Sequence, residues 1–172
     1  MSKLSAKRYL QGERAHASGQ RFEDRLNTAF ALYRRQGIAD IEKTPEPMRV
    51  IKRLEGGKFV AVFEKKAQAD YSGVLRGGQA VIFEAKYTSL ARMEQGRVTP
   101  EQAAFLERRQ ALGARRWVLA GFGSGNVYRV PWVVWRDMSE MFGRRSVTEK
   151  DLRDFAVPVM GGVPMVLEAV AP

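Results

Sequence analysis

The sequence predicts an α/β fold, and three stretches carry that prediction. Residues 19–36 place Phe22, Leu26, Ala29, Phe30 and Tyr33 at helical spacing, with Gly37 as the stop. Residues 70–86 read as a β-hairpin, with the apolar runs Val74-Leu75 and Ala80-Val81-Ile82-Phe83 on either side of Gly77-Gly78, which suits the positive φ angles of a tight turn. Thr99-Pro100-Glu101-Gln102 then opens a second helix, with Thr99 as N-cap, Pro100 in the first turn and Gln102 closing a capping box. That helix runs to about Leu112, with Phe105, Leu106 and Leu112 inward and Gly113 as its stop.

The hairpin is the chemically loaded element. Asp70 precedes its first strand, and Glu84 and Lys86 close the second, an unusual density of charge beside an apolar run. Glu84 and Lys86, two apart on a strand, share a face, and Ala85 points away. A two-residue loop would pair Arg76 with Gln79 and put Asp70 opposite Ala85. A three-residue loop, Arg76-Gly77-Gly78, pairs Leu75 with Gln79 and puts Asp70 opposite Glu84. The second register is the expected one, because it brings the carboxylates together. Two carboxylates at one point repel unless a cation joins them. A hard dication such as Mg²⁺, with Mn²⁺ as a substitute, suits the set, since it takes a few carboxylate oxygens and leaves positions for water and phosphate. Lys86 can then orient water or neutralise developing charge. The plainer reading is a surface ion pair between Glu84 and Lys86 at a strand end.

Charge points to the partner. The chain has 172 residues and a formal net charge of +10, which suits one domain that meets a polyanion, most simply nucleic acid. No cysteine is present, so disulfides and thiolate metal sites are excluded, in keeping with a reducing cytoplasm. His16 is the only histidine, which excludes a histidine-based metal or triad site. The longest apolar runs are too short to cross a bilayer, and no basic amphipathic helix suggests a membrane partner.

The remaining elements follow in order. Residues 1–18, with Lys7, Arg8 and Arg14, read as a basic, mobile N-terminal arm, either a DNA grip or a solvated tail, leaving 19–172 as one domain. Glu23 sits at the edge of the first helix's apolar stripe, as a rim charge or as a group aimed at the metal site. Residues 48–54 and 58–63 look like paired, basic strands that either project or extend the sheet, with Lys65 and Lys66 following as DNA contacts or a solvated pair. Tyr87 to Val98 reads as a basic loop carrying Arg92 and Arg97. Gln102 has two readings, a local cap or an active-site residue. Two strands, 116–121 and 126–130, flank a glycine-rich turn that lacks the lysine of a phosphate-binding loop. A helix is expected over 131–141, and another over 149–155 capped by Thr148.

This order of elements resembles the PD-(D/E)XK nuclease superfamily and, within it, the RecU-type Holliday-junction resolvases of Gram-positive bacteria and their phages, with a phage-encoded member expected. The residues carrying the resemblance are Gly19-Gln20-Arg21-Phe22-Glu23, Lys43-Thr44-Pro45, Ala69-Asp70-Tyr71-Ser72-Gly73-Val74, Phe83-Glu84-Ala85-Lys86 and Gln102, over about 19–135. It implies a restriction-endonuclease-like mixed β-sheet flanked by helices. It also implies a homodimer that nicks four-way DNA junctions in pairs in the bacterial or phage-infected cytoplasm. Asp70 and Glu84 would be metal ligands, joined by the Ala85 carbonyl and by Glu23 in or behind the metal's shell. Lys86 would be the catalytic lysine, and Gln102 would position water or phosphate. The segment 49–66 would be a short version of the stalk that enters the junction centre. Arg76 and Arg97 complete the expected DNA contacts with Lys7, Arg8, Arg14, Lys65 and Lys66. A restriction-like or repair nuclease with the same site, or a non-catalytic basic DNA-binding protein, are the alternatives.

Overall fold

A computed structural model describes residues 3–64 and 68–167 of the chain. Helix α1 (Lys3–Arg35) leads into β1 (Ala39–Lys43), β2 (Met48–Arg53), β3 (Phe59–Phe63), β4 (Tyr71–Leu75), β5 (Ala80–Thr88) and β6 (Arg92–Glu94). Helix α2 (Pro100–Ala111), β7 (Arg115–Phe122) and β8 (Val127–Pro131) follow, then α3 (Trp132–Arg136), α4 (Met138–Phe142) and β9 (Ser146–Thr148), and a last small hairpin of β10 (Val159–Met160) and β11 (Val163–Pro164). The central sheet has the order β1-β4-β5-β7-β8. Its β5/β7 pair is parallel and its other pairs are antiparallel. This is the mixed sheet flanked by helices that the resemblance implies.

Strand β5 explains why the sheet is covered on both faces. Val81 and Phe83 point to the α1 side, where they join Phe22, Leu26, Phe30, Tyr33, Tyr71 and Leu119. Ile82 points the other way, into a core with Leu106, Val118, Ala120, Trp135 and Met138. A central strand buried on both sides reads as a continuous apolar run, as residues 80–83 do. Aromatic contacts tie α1 to the sheet, with Phe30 and Tyr71 ring centroids 5.0 Å apart.

Several elements depart from the sequence reading. Helix α1 begins at Lys3, so the residues read as an arm belong to the helix that carries Glu23. Strand β1 was not anticipated; it pairs with β4 at the sheet edge. The expected basic loop after Lys86 holds the end of β5 and the short β6, which pairs with β9. The helix expected over 131–141 is broken into α3 and α4 at Asp137. The α-helix expected after Thr148 is absent. Both the Thr148 N–H and its hydroxyl donate to Asp151 Oδ2 at 2.7 Å, which closes a turn, and only a 3-10 segment (Arg153–Phe155) follows. Leu112, expected inward, is 77% exposed just past the end of α2.

Among the described residues, strands β2 and β3 pair only with each other. Every residue of β2 is exposed. The hairpin projects rather than extending the sheet, and it presents Met48, Ile51, Phe59 and Phe63 to solvent beside Arg49, Lys52 and Arg53.

Gly73 sets the distance between β1 and β4. A Cβ there would lie 2.0 Å from the Asp40 carbonyl oxygen and 2.6 Å from Ile41 Cα, both backbone atoms of β1. Backbone cannot step aside as a side-chain tip can. Gly73→Ala is therefore expected to destabilise the protein by about 3 kcal/mol, the upper end of the overpacking range. At Gly121 the nearest atoms belong to the Phe22 ring, at 2.7 Å, and Gly121→Ala should cost less. Urea unfolding of the two variants checks the order.

Candidate active site

The hairpin adopts the register that unites its charges. Tyr71 pairs with Phe83 and Val74 with Ala80, and the Leu75 N–H donates to the Gln79 carbonyl at 2.9 Å. The three residues between are Arg76, Gly77 and Gly78, with φ of +92° and +88° at the glycines, a conformation that L side chains rarely adopt. Extending that register one pair places Asp70 opposite Glu84.

Asp70, Glu84 and Lys86 meet there. Lys86 Nζ donates to Glu84 Oε2 at 2.9 Å and approaches Asp70 Oδ2 at 3.4 Å. Asp70 Oδ2 also accepts the Ala85 N–H at 2.9 Å, so the hairpin backbone aims the aspartate across the ladder. Glu84 is 0% exposed, which removes the surface ion-pair reading. Its Oε1 is buried and has no hydrogen-bond partner among the described residues.

Gln102 fills both of the roles the sequence left open. Its Oε1 accepts the Thr99 N–H at 3.1 Å, and its own N–H donates to Thr99 Oγ1 at 3.3 Å, which completes the capping box. Its Nε2 donates to Glu84 Oε2 at 2.8 Å. One end of the side-chain amide is fixed by the helix start, so the other end is presented to the carboxylate in one orientation. The cap is the device that positions the site residue.

The protonation states follow from this packing. Burial and the neighbouring Asp70 carboxylate push Glu84 up to about 8, against the opposing pull of Lys86. Burial works against the Lys86 ammonium, but Asp70 and Glu84 outweigh it and hold its pKa above the ordinary lysine value. Without a metal, then, the cluster holds the Lys86 cation and, in Glu84, a carboxyl that keeps its proton near neutral pH. Tyr71, buried beneath it and donating to Asn27 Oδ1 at 3.1 Å, is held neutral by burial and by the charges of Glu23 and Asp70.

The donor set fits a hard dication. Glu84 Oε1 is a buried carboxyl oxygen without a hydrogen-bond partner among the described residues, and such atoms are rare unless something coordinates them. No group of three or more Asp, Glu, His or Cys that could hold a metal occurs among the described residues. Glu23 pairs with Lys43 of β1, which itself responds to the charge of Asp70. Ala85 meets the cluster through its N–H.

Among the expected DNA contacts, Arg97 is exposed in the turn before α2. Arg76 donates to the Gly37 carbonyl at 2.8 Å and the Gln36 carbonyl at 3.1 Å, so it caps the end of α1. Lys65 and Lys66 lie outside the described residues, as do the side chains of Lys7, Arg8 and Arg14. Sequence reasoning gave no role to Lys43, Asn27 or Tyr71, which reach the site's underside from α1, β1 and β4; the Lys43-Thr44-Pro45 motif was the available signal.

Fold and site together define an α/β protein whose acid–lysine cluster sits on a hairpin of a mixed sheet. The chain belongs to the RecU (Recombination protein U) family, whose profile matches residues 17–169. It is 28% identical over 163 residues to the Holliday junction resolvase RecU of Bacillus pumilus, covering 88% of this chain and 78% of that protein. It is 39% identical over 75 residues to that of Geobacillus kaustophilus, covering 41% of this chain and 37% of the relative's length. The chain thus aligns with less than half of that relative and of the similar streptococcal proteins. Among solved structures, the Holliday junction resolvase Hjc of Archaeoglobus fulgidus overlaps 86% of this chain and 97% of its own, with a TM-score of 0.49 and 10% identity. Among the described residues, no helix is long and apolar enough to cross a membrane.

Two outcomes test this geometry. Gln102→Ala removes a capping partner and leaves Glu84 with one donor fewer, at an expected cost of about 1–3 kcal/mol in urea unfolding. The second concerns pH. An acid whose folded pKa is raised from 4.5 to about 8 stabilises the fold below pH 4.5, and that stability is lost as the pH rises toward 8. With a chelator present, wild-type stability should fall with pH across this window, and Glu84→Gln should flatten the slope. Equal slopes in the two proteins would show that Glu84 is ionised throughout.

Proposed function

We propose that the chain is a metal-dependent endodeoxyribonuclease that resolves four-way DNA junctions by paired nicks, acting as a homodimer. The observation that carries this reading is the buried Glu84 Oε1 without a donor, set between Asp70 and Lys86 on the hairpin. Membership of a family whose relatives are named Holliday junction resolvases supports the substrate.

In this reading Asp70, Glu84 and the Ala85 carbonyl hold Mg²⁺, or Mn²⁺ in its place, with Glu23 and Lys43 behind them. The ion, once bound, would supply a more acidic water and offset charge on the phosphate. The protein's own groups do the rest. Gln102 keeps Glu84 in one rotamer, and the Ala85 N–H does the same for Asp70. Lys86 is a fixed cation, placed to stabilise the charge that grows on the attacked phosphate. The projecting β2–β3 hairpin, with Arg49, Lys52 and Arg53 among exposed apolar side chains, is suited to the junction centre, where bases are open to contact.

The test is cleavage of a synthetic four-way junction with Mg²⁺, beside a linear duplex of the same sequence. Symmetric paired nicks on the junction alone are expected. Asp70→Asn and Glu84→Ala should each lower the rate by more than about 100-fold, beyond the usual loss for outer-shell groups of a metal site. Junction binding should persist, because neither change removes a basic residue. Equal cutting of both substrates would indicate a general endonuclease. Binding without cleavage under either metal would leave a DNA-binding protein only.

A further inference from the structure

Three rows of side chains lead away from the active site, and each begins with one of its residues. On β4, residues two apart share a face, so Ser72 and Val74 continue the row that Asp70 starts. On β5, Ile82 and Ala80 continue the row of Glu84 in the reverse chain direction. The two rows run side by side, since Ser72 pairs with Ile82 and Val74 with Ala80. On α2, Phe105 and Arg109 stand three and seven residues after Gln102, on the stripe whose first member holds Glu84.

These rows are the walls of a groove of about 380 Å³. Ser72, Val74, Ala80 and Ile82 form its sheet side, and Phe105 and Arg109 its helix side. Its end beside the site is lined by Ala69, which directly precedes Asp70, and by Thr44, whose N–H donates to the Asp70 carbonyl at 2.9 Å. At the other end Leu112 is exposed, as is Val74 along the wall. The groove thus leads from Asp70 and Glu84 to the protein surface.

Arg109 is the charged residue of this lining. It is exposed and makes no ion pair with any acid among the described residues. Its Cζ lies 5.0 Å over the Phe105 ring, which holds the guanidinium at the groove's edge. The end of α2 is served by another arginine, Arg116, which donates to the Ala114 carbonyl at 3.2 Å and the Leu106 carbonyl at 3.4 Å. The acids opposite Val74 and Ser72 on the edge strand, Asp40 and Glu42, are engaged by Arg34. A free guanidinium beside an apolar floor matches a sugar–phosphate backbone: the fork binds phosphate oxygens, and Val74, Ile82 and Phe105 take the deoxyribose.

We propose that this groove holds the nucleotide that adjoins the cut phosphate, with Arg109 on the next phosphate of the same strand. The inference rests on the nuclease reading above and adds to it a path for the flanking strand. Arg109 lies outside every segment that the sequence offered as a DNA contact.

The experiment measures junction affinity against salt, without metal, for wild type, Arg109→Gln and Arg109→Lys. It is repeated on junctions in which one phosphate flanking the mapped cut is replaced by a neutral methylphosphonate. The slope of log affinity against log salt should fall by about 1 in Arg109→Gln and stay at the wild-type value in Arg109→Lys. At one flanking position the methylphosphonate should weaken wild-type binding by about tenfold and leave Arg109→Gln binding unchanged, because arginine and phosphate are then two halves of one contact. A wild-type slope in Arg109→Gln overturns the proposal. So does a loss shared equally by Arg109→Lys, since the effect would then come from stacking on Phe105 rather than from charge. Methylphosphonates that weaken both proteins alike at every flanking position would place the Arg109 contact away from the cut and overturn it too. Absence of wild-type binding to any DNA would remove the nuclease reading itself, which distinguishes that failure from failure of the groove alone.

Discussion

One carboxylate governs this fold. Glu84 is wholly buried, yet among the described residues only one of its oxygens finds a partner. Leaving a buried acceptor unpaired costs about 1–3 kcal/mol, and a charged one more. A fold keeps such a group only where the surrounding elements hold it in place. Strand β5 fixes its backbone between antiparallel β4 and parallel β7. Lys86 answers it along the strand and Gln102 from the helix above. These donors crowd onto Oε2 and leave Oε1 open. The imbalance is what makes the position a ligand rather than half of a closed salt bridge.

The same requirement orders the rest of the sheet. Asp70 can face Glu84 only if the turn keeps the pairing of Leu75 with Gln79, and Gly77-Gly78 supplies the two positive φ angles. The apolar residues alternate across β5, so Val81 and Phe83 bind the strand to α1 while Ile82 binds it to the α2 side. Glu84 falls on the α2 side by the same alternation, within reach of the capped first turn. A slip of one residue would send the carboxylate toward Phe30 and Tyr71 and the apolar face toward Gln102. Core packing and site geometry thus impose the same register.

That agreement explains why the site was legible in the sequence and other parts were not. The hairpin register follows from local spacing, and so does the capping box, so Asp70, Glu84, Lys86 and Gln102 could be found without a structure. Strand β1 is hard to see in sequence because it is five residues long and carries Asp40 and Glu42, which are partners for Arg34 at the end of α1. Thr148 offered cap chemistry, and the structure uses its N–H and hydroxyl on Asp151, but in a turn without a following helix. The β6–β9 pairing joins residues about fifty positions apart through three-residue strands, too short for any periodicity to announce them.

Arginine roles show the limit of counting charge. A formal charge of +10 indicates a polyanion but not where it binds. Much of the arginine is engaged in holding the fold. Arg25 bonds the Gly162 carbonyl and, at 2.9 Å, that of Gly125, while Arg76 caps α1. Arg129 lies 5.4 Å over the Trp117 ring and bonds the Val166 carbonyl. Each looks, in sequence, like a cation available to phosphate. What distinguishes a binding arginine is the absence of such engagement together with a place beside the chemistry, and both are properties of the folded chain.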